Sequence, residues 1–303
     1  MPYNLCPMPS IMNPQELKEK FEKYLSESVD FSAYDSNLAS AVKYALLGGG
    51  KRVRPLLMLL TAQELGQDIC LFMDFAVSLE MIHAFSLVHD DLPCMDNDDF
   101  RRGLPTVHKK FGEDIALLAG DLLLNLASLK LNEACLELSK KGMFFTQSAL
   151  GAMHMINSVS LEMINGQSAE IALKKDGTEG LTETELGAKI LKIYSGKTSA
   201  LFASALSVPC IFNSFLSKTY DKDYKEAIIA GRHFGIAFQI ADDLSDYDSG
   251  QDASEITLVT ALGESDSKSL FNDAVCAFTK CMDKLNLSEV KDYCLKILGC
   301  SNL

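Results

Sequence analysis

Two aspartate-rich segments, each at the end of a long apolar run, constrain this chain more than any other feature. The first covers residues 90–96 (DDLPCMD) and the second residues 242–246 (DDLSD). Either segment alone is typical of a solvated helix end. Together they are more informative, because carboxylates beside buried apolar surface are costly and a hard cation with oxygen ligands neutralises them well. The pair predicts one site in which magnesium ions hold a diphosphate.

Apolar residues recur at helical spacing along nearly the whole chain, and no convincing period-two run bounded by turn residues is present. We therefore predict an all-α fold. The breaks fall where Gly, Pro or charged residues cluster, at 48–50, 93–105, 174–180, Pro209 and 248–254. The predicted helices are 14–26, 35–47, 54–66, 71–91, 112–139, 143–173, 183–207, 221–247, 267–285 and 288–299.

Length and composition fit one large domain or two tightly fused helical halves, and we predict a single helical domain over residues 1–303, with about the first 12 residues disordered. The net charge of −13 argues against nucleic acid or an anionic membrane as the main partner. The longest apolar stretch, 200–216, is interrupted by polar residues and Pro209, which predicts a buried helix and turn rather than a membrane span.

Nine cysteines, odd in number and scattered without metal-ligand spacing, favour a reduced, cytoplasmic setting over a disulfide scaffold. The first residues lack a basic region followed by an apolar one, so we expect no secretory signal.

Three basic groups, at 50–54, 101–102 and 196–198, are candidates to receive anionic oxygens. Taken alone, such side chains are as often ordinary solvated surface. Two of the groups superficially resemble a P-loop, but Leu191 stands where its first glycine belongs, and Lys51 is followed by Arg52 rather than Ser or Thr. ATP hydrolysis is therefore not expected. Combined with the aspartates, the basic groups predict an anionic substrate.

Helical spacing places further polar side chains near the two motifs. His83 lies two turns before Asp90 on the same face and is positioned either to reach a second ligand or to serve as a core histidine. Pro93 disfavours continuation of that helix, so Asp96 is expected to approach from a turn. Gln239 lies one turn before the second motif.

The chain resembles the trans-isoprenyl diphosphate synthases, the family that includes farnesyl and geranylgeranyl diphosphate synthases. The resemblance covers about residues 37–247 and follows the family's motif order. Its motifs are Gly-Gly-Lys-Arg-x-Arg-Pro at 49–55, the first Asp-rich motif with Arg101-Arg102-Gly103 behind it, Gly166-Gln167, Lys197-Thr198, and Phe238-Gln239 before the second Asp-rich motif.

The resemblance implies an isoprenoid synthase fold, a homodimer, and a deep cavity with the two Asp-rich motifs facing each other across its mouth. It implies a cluster of three Mg²⁺ ions held by Asp90, Asp91, Asp96, Asp242, Asp243 and Asp246. The implied contacts to isopentenyl diphosphate come from Lys51, Arg54, His83 and Arg102. The implied contacts to the allylic diphosphate come from Arg101 and Lys197, while Thr198 and Gln239 present uncharged oxygens to a carbocation.

By the same resemblance the allylic diphosphate ionises, isopentenyl diphosphate attacks the cation, and the released pyrophosphate removes the final proton. Dimethylallyl and geranyl diphosphate are the implied primers. Phe85, followed by Ser86, stands where the family sets product length, and an aromatic there accompanies a farnesyl product. A helical aromatic is also often ordinary core. Farnesyl diphosphate is the preferred product and geranylgeranyl diphosphate the alternative.

The resemblance weakens over residues 248–303. Glu255 stands where a lysine is expected, no Tyr-Pro follows Thr257, and the C-terminus lacks a basic tail. An acidic residue there would repel the allylic diphosphate.

Two alternatives stay open. One is a non-catalytic regulatory subunit of a prenyl synthase, which would not need both Asp-rich motifs. The other is a terpene cyclase, which would carry an Asn/Ser/Glu-type second motif and would have no use for the isopentenyl-binding basic set.

Overall fold

The computed structural model describes residues 12–214, 220–248 and 255–300. Most of these residues are helical, so the all-α prediction is confirmed. Most of the residues predicted to be disordered at the N-terminus, and the predicted break at 248–254 apart from Asp248, lie outside the described residues.

The long helices follow the predicted order, with ends shifted by a few residues. A π-helix, Ser195–Ser199, joins the helix Glu183–Tyr194 to the helix Ala200–Ser214. The helices are α1 (Pro14–Glu27), α2 (Ser36–Leu47), α3 (Val53–Glu64), α4 (Met73–Asp90), α5 (Val107–Phe111), α6 (Glu113–Ser139), α7 (Met143–Asp176), α8 (Glu183–Tyr194), α9 (Ala200–Ser214), α10 (Tyr220–Asp248), α11 (Leu258–Leu262), α12 (Glu264–Leu285) and α13 (Ser288–Ile297).

The chain divides into two compact units, Met1–Met153 and His154–Leu303, with the boundary inside α7. In the first unit, α4 packs against α2, α3 and α6, and most of its residues are buried. This burial explains why its apolar residues do not form a single stripe. The first Asp-rich motif therefore begins at the end of the helix that forms the centre of this unit.

In the second unit, α10 packs against α9 and α12. The rings of Phe202 and Phe234 stack edge-on with centroids 5.0 Å apart, and Phe278 lies 5.5 Å from Phe234. All three side chains are fully buried, so α10 is held rigidly below the second Asp-rich motif. The single domain over 1–303 stays a prediction.

The predicted break at Pro209 is wrong, because α9 continues through it to Ser214. A proline inside a helix removes a hydrogen bond and costs about 3 kcal/mol. Residues 200–212 are all buried, and that packing outweighs the local preference.

Several short elements were not predicted from the sequence. Among them are the helices α5 and α11 and a hairpin of β1 (Phe100–Arg101) with β2 (Leu104–Pro105). Strands of two residues are too short to show a period.

Among the described residues, no helix combines the length and apolar character that a membrane span needs.

Candidate functional site

The first Asp-rich motif forms where α4 ends. The chain turns after Leu92, and the Asp96 N–H donates to the Asp90 carbonyl oxygen at 2.9 Å. Asp96 thus approaches from a turn, as predicted, and its side chain is exposed, while that of Asp90 is partly buried. Asp91, in contrast, is only 3% exposed.

Asp91 accepts hydrogen bonds from the Arg101 guanidinium, with Nε at 2.7 Å and Nη2 at 2.6 Å from Oδ1. Burial raises the pKa of Asp91, and the Arg101 charge offsets part of that rise. Arg101 is positioned by the hairpin, whose two-residue turn, Arg102-Gly103, has positive φ at both positions as a type I′ turn requires. Arg101, which is predicted to contact the allylic diphosphate, is therefore hydrogen-bonded to Asp91 of the first Asp-rich motif.

Three of the predicted isopentenyl-diphosphate residues lie close together. The Arg54 Nη1 lies 3.3 Å from His83 Nε2, and since arginine only donates, the ring nitrogen accepts. Burial, followed by the charges of Arg54 and Arg102, lowers the pKa of His83 well below its usual value. Burial and the Arg102 charge likewise lower the pKa of Arg54 to about 10. The neighbouring positive charges of Arg54 and Arg102 favour the binding of an anion beside them. Lys51 is exposed.

Arg52 belongs to the candidate basic group at 50–54, but it has a structural role. Its side chain is buried and donates to Glu22 at 2.8 Å, to Glu80 at 2.5 Å and to the Leu46 carbonyl oxygen at 2.8 Å. These partners fix the loop that carries Lys51 and the start of α3. Because both acidic partners are about thirty positions away in the chain, sequence spacing could not reveal the pairing.

His83, Asp91, Arg101 and Arg102 line one cleft of about 570 Å³, including its part open to solvent. The rest of its wall is mostly apolar, with Tyr44, Ala45, Ala84, Leu87, Val88 and Val107, but it also includes Thr106 and the ion pair of Arg52 and Glu80. The first unit thus brings His83, Arg101 and Arg102 into one cleft with Asp91 of the first Asp-rich motif.

The predicted chain-length residues are not among the residues that line this cleft. The Phe85 side chain is buried, and its ring stacks edge-on against His89 with centroids 5.1 Å apart. Ser86 Oγ donates to the His83 carbonyl oxygen at 2.9 Å. The proposed floor role of Phe85 stays a prediction.

The second Asp-rich motif lies on α10, where Asp242 and Asp246 are exposed and Asp243 is buried. Gln239 Nε2 donates to Asp243 Oδ1 at 3.0 Å, and the Tyr194 hydroxyl donates to Asp243 Oδ2. Burial raises the pKa of Asp243 to about 6. Tyr194 was not predicted as a site residue, because it lies 49 positions before Asp243 and local spacing gives no signal of the contact.

Thr198 and Gln239, both predicted site residues, are hydrogen-bonded to each other at 2.8 Å, with the Thr198 hydroxyl as donor. Lys197 lies in the π-helix, and such bulges often mark functional positions. A Cβ on Gly166 would lie 2.4 Å from the Lys197 backbone nitrogen, so the glycine allows α7 to touch the π-helix. The predicted Gly166 motif and Lys197-Thr198 are thus in direct backbone contact.

Glu170 is a further residue that the sequence analysis missed. Its carboxylate pairs with the Lys197 ammonium at 2.5 Å and with Lys174 at 3.2 Å. It lies one helical turn after Gly166, and that spacing was the available signal.

The donor atoms around the motifs suit magnesium, because they are hard carboxylate oxygens. Within residues 12–214, 220–248 and 255–300, no three or more His, Cys, Asp or Glu side chains are grouped to hold a metal ion by themselves. Mg²⁺ usually binds through one or two carboxylates plus substrate phosphates and water, so the residues present fit it without such a cage.

Comparison with known proteins agrees with this geometry. The polyprenyl synthetase family model matches residues 35–258. A farnesyl diphosphate synthase of Micrococcus luteus is 34% identical over 275 residues, which are 85% of this chain and 87% of that protein. A geranylgeranyl pyrophosphate synthase of Arabidopsis thaliana is 37% identical over 212 residues, 69% of this chain and 53% of that protein. The chain matches about half the length of such plant relatives.

Two solved structures match almost the whole chain. A geranyltranstransferase of Thermotoga maritima has a TM-score of 0.78 and 29% identity, over 95% of this chain and 98% of that one. An isoprenoid synthase family member of Thermotoga neapolitana has a TM-score of 0.78 and 31% identity, over 92% and 98%. The predicted isoprenoid synthase fold is confirmed. With its motifs in order and more than half its length matched, the chain belongs to the polyprenyl synthetase family.

Proposed function

We propose that this protein is a magnesium-dependent, chain-elongating trans-prenyltransferase. It condenses isopentenyl diphosphate with dimethylallyl or geranyl diphosphate to give farnesyl diphosphate and pyrophosphate. The observation that carries the proposal is the group of Arg54, neutral His83 and Arg102 in the same unit as the first Asp-rich motif. A cyclase needs only the metal-bound allylic diphosphate, whereas a condensing enzyme needs a second diphosphate site of this kind.

The metal ligands in this proposal come from both Asp-rich motifs. The exposed or partly buried carboxylates are the first candidates, and the buried Asp91 and Asp243 would join them through oxygen lone pairs that their hydrogen bonds leave available. The proposed set remains Asp90, Asp91, Asp96, Asp242, Asp243 and Asp246, for three Mg²⁺ ions. When bound there, the ions would neutralise the negative charge that grows on the leaving diphosphate.

The side chains of the second unit hold the allylic substrate in this scheme. Lys197 exchanges Glu170 for a diphosphate oxygen and stabilises the leaving group. The Thr198 and Gln239 oxygens, fixed by their mutual hydrogen bond, stabilise the allylic cation. No protein nucleophile is required, and the apolar wall of the site excludes water that would quench the cation.

The side chains of the first unit hold isopentenyl diphosphate. Lys51, Arg54 and Arg102 supply positive charge, and neutral His83 orients Arg54 by accepting its N–H. Arg101 is assigned to the allylic diphosphate. Holding both substrates side by side makes the carbon–carbon bond-forming step intramolecular, and the released pyrophosphate is the base that takes the last proton.

Farnesyl diphosphate is proposed as the product because the Phe85 ring is buried and backed by His89. Geranylgeranyl diphosphate is the alternative, and relatives of both names resemble the chain.

A homodimer is part of the proposal, supported by an apolar face on α6. Leu118, Leu129 and Leu136 are 50%, 49% and 65% exposed. Their spacings of 11 and 7 residues equal about three and two helical turns, so they share one face. A second copy of the chain would cover it.

The cysteines within the described residues are free thiols, which supports the proposed cytoplasmic compartment.

The test is product analysis after incubation of the purified protein with Mg²⁺, isopentenyl diphosphate and geranyl diphosphate. A fifteen-carbon alcohol after dephosphorylation supports the proposal, and a twenty-carbon alcohol selects the alternative product. Hydrocarbon formed without consumption of isopentenyl diphosphate would indicate a cyclase. No product from a folded protein that binds both substrates would indicate a regulatory subunit.

A further inference from the structure

Tyr194, the last residue of α8, lies at a junction that the proposed mechanism does not use. Its side chain is buried in an apolar cluster with Ile190, Ile240 and Leu258. The cluster joins α8, α10 and α11, three helices of the second unit. The Tyr194 side chain thus places its hydroxyl group inside this apolar cluster.

That hydroxyl uses both of its hydrogen-bonding capacities. It donates to Asp243 Oδ2 and accepts the Leu258 backbone N–H at 3.2 Å. Burial, and next the Asp243 charge, raises the pKa of Tyr194, so the group stays a neutral donor. With Gln239 on Oδ1, both Asp243 oxygens receive hydrogen bonds from the protein. The orientation of this carboxylate is therefore fixed by two side chains from different helices.

The Leu258 contact also fixes the start of α11. The first N–H groups of a helix lack intrahelical acceptors, and Leu258 is the first residue of α11. The Tyr194 hydroxyl supplies that acceptor inside the cluster. This is the part of the chain where Glu255 replaces the lysine that the resemblance predicts, so one phenol ties the divergent segment to the second Asp-rich motif.

We propose that Tyr194 is a positioning residue of the active site. It holds the Asp243 carboxylate and the start of α11 together, and thereby sets the geometry of the motif face that carries Asp242 and Asp246. The proposal rests on the proposed function, because it assigns Tyr194 to the allylic-diphosphate half of that site. It assigns no contact between Tyr194 and the substrate.

The test uses Tyr194→Phe, which keeps the ring in the cluster and removes both hydrogen bonds. In the metal-free protein, amide hydrogen exchange at Leu258 should be about tenfold faster, the equivalent of one hydrogen bond. Magnesium-dependent binding of inorganic pyrophosphate, measured by calorimetry, should weaken about 10- to 100-fold, as for other residues that orient ligand groups. With substrates, kcat/KM for geranyl diphosphate should fall, while KM for isopentenyl diphosphate stays unchanged.

Tyr293→Phe is the matched control, because Tyr293 is a partly buried tyrosine on α13 outside the site. It should leave all three measurements unchanged. Unchanged pyrophosphate affinity in Tyr194→Phe would overturn the proposal, even if Leu258 exchange rose, since the phenol would then serve the fold alone. A wild-type protein that binds pyrophosphate with Mg²⁺ but forms no product would contradict the proposed function and leave the Tyr194 result interpretable.

Discussion

The two Asp-rich motifs are built alike but are neutralised differently. In each motif the second aspartate is buried, while the outer aspartates are more accessible to solvent. Asp91 is held by the cation of Arg101, whereas Asp243 is held by the neutral groups of Tyr194 and Gln239. Hydrogen bonds from neutral donors only partly replace hydration of a buried charge. Two motifs with the same aspartate pattern therefore have different electrostatic settings.

The largest expected effect comes from the outer aspartates. Asp90→Ala and Asp242→Ala should each lower kcat about 100-fold or more, because each removes a proposed metal ligand that acts as the diphosphate leaves. Steady-state kinetics at saturating Mg²⁺ measures this loss. Asp292→Ala, at an exposed position on α13, is the control and should keep full activity. Near-normal turnover in either motif variant would contradict the site assignment.

Next is the stability of Asp243→Asn in metal-free protein. The pKa of Asp243 is raised from 3.8 to about 6, so ionisation of the folded protein costs stability as the pH rises through 6, and this cost is absent below about 4. Asparagine carries no charge. The variant should therefore gain in unfolding free energy relative to wild type between pH 4 and 7, by about 3 kcal/mol at most.

Denaturant unfolding at pH 4, 5, 6 and 7.5 measures this difference. A difference that stays flat across those pH values would show that Tyr194 and Gln239 neutralise Asp243 fully, and the contrast between the motifs would fail.

Asp91→Asn should have the same sign at neutral pH but a smaller effect. Burial raises the pKa of Asp91, so its ionisation also costs stability, but the Arg101 charge offsets part of that rise. We expect a gain in unfolding free energy at pH 7 that is smaller than that of Asp243→Asn, measured by denaturant unfolding. A gain as large as that of Asp243→Asn would show that Arg101 neutralises Asp91 no better than Tyr194 and Gln239 neutralise Asp243.

The smallest expected effect is on product length, and it concerns α4, the helix that leads into the first motif. Phe85→Met should shift product from fifteen towards twenty carbons if the ring is the floor. Gly120→Ala should do so more weakly, because the added Cβ would lie 2.1 Å from His89 Nε2 and displace the ring that backs Phe85. Chromatography of dephosphorylated products measures both. Phe21→Met, a core substitution in the same unit, should leave product length unchanged, and the same product from all three would place the floor elsewhere.

The sequence predicted what depends on local spacing. The helix periodicity, the turn that carries Asp96 and the stacking of Gln239 below Asp243 all follow from neighbouring positions, and the structure confirms them. The missed features depend on partners distant in the chain. Arg52 is neutralised by Glu22 and Glu80, and Tyr194 reaches Asp243 across 49 positions. Pro209 shows the same limit, since buried packing overrode a strong local signal.

The most direct measurement of the central claim is pyrophosphate release from geranyl diphosphate with and without isopentenyl diphosphate, at saturating Mg²⁺. The account predicts release that requires both substrates, with one pyrophosphate for each prenyl chain lengthened by five carbons. Release from geranyl diphosphate alone at the same rate would contradict it, because the basic group of Arg54, His83 and Arg102 would then have no part in the reaction.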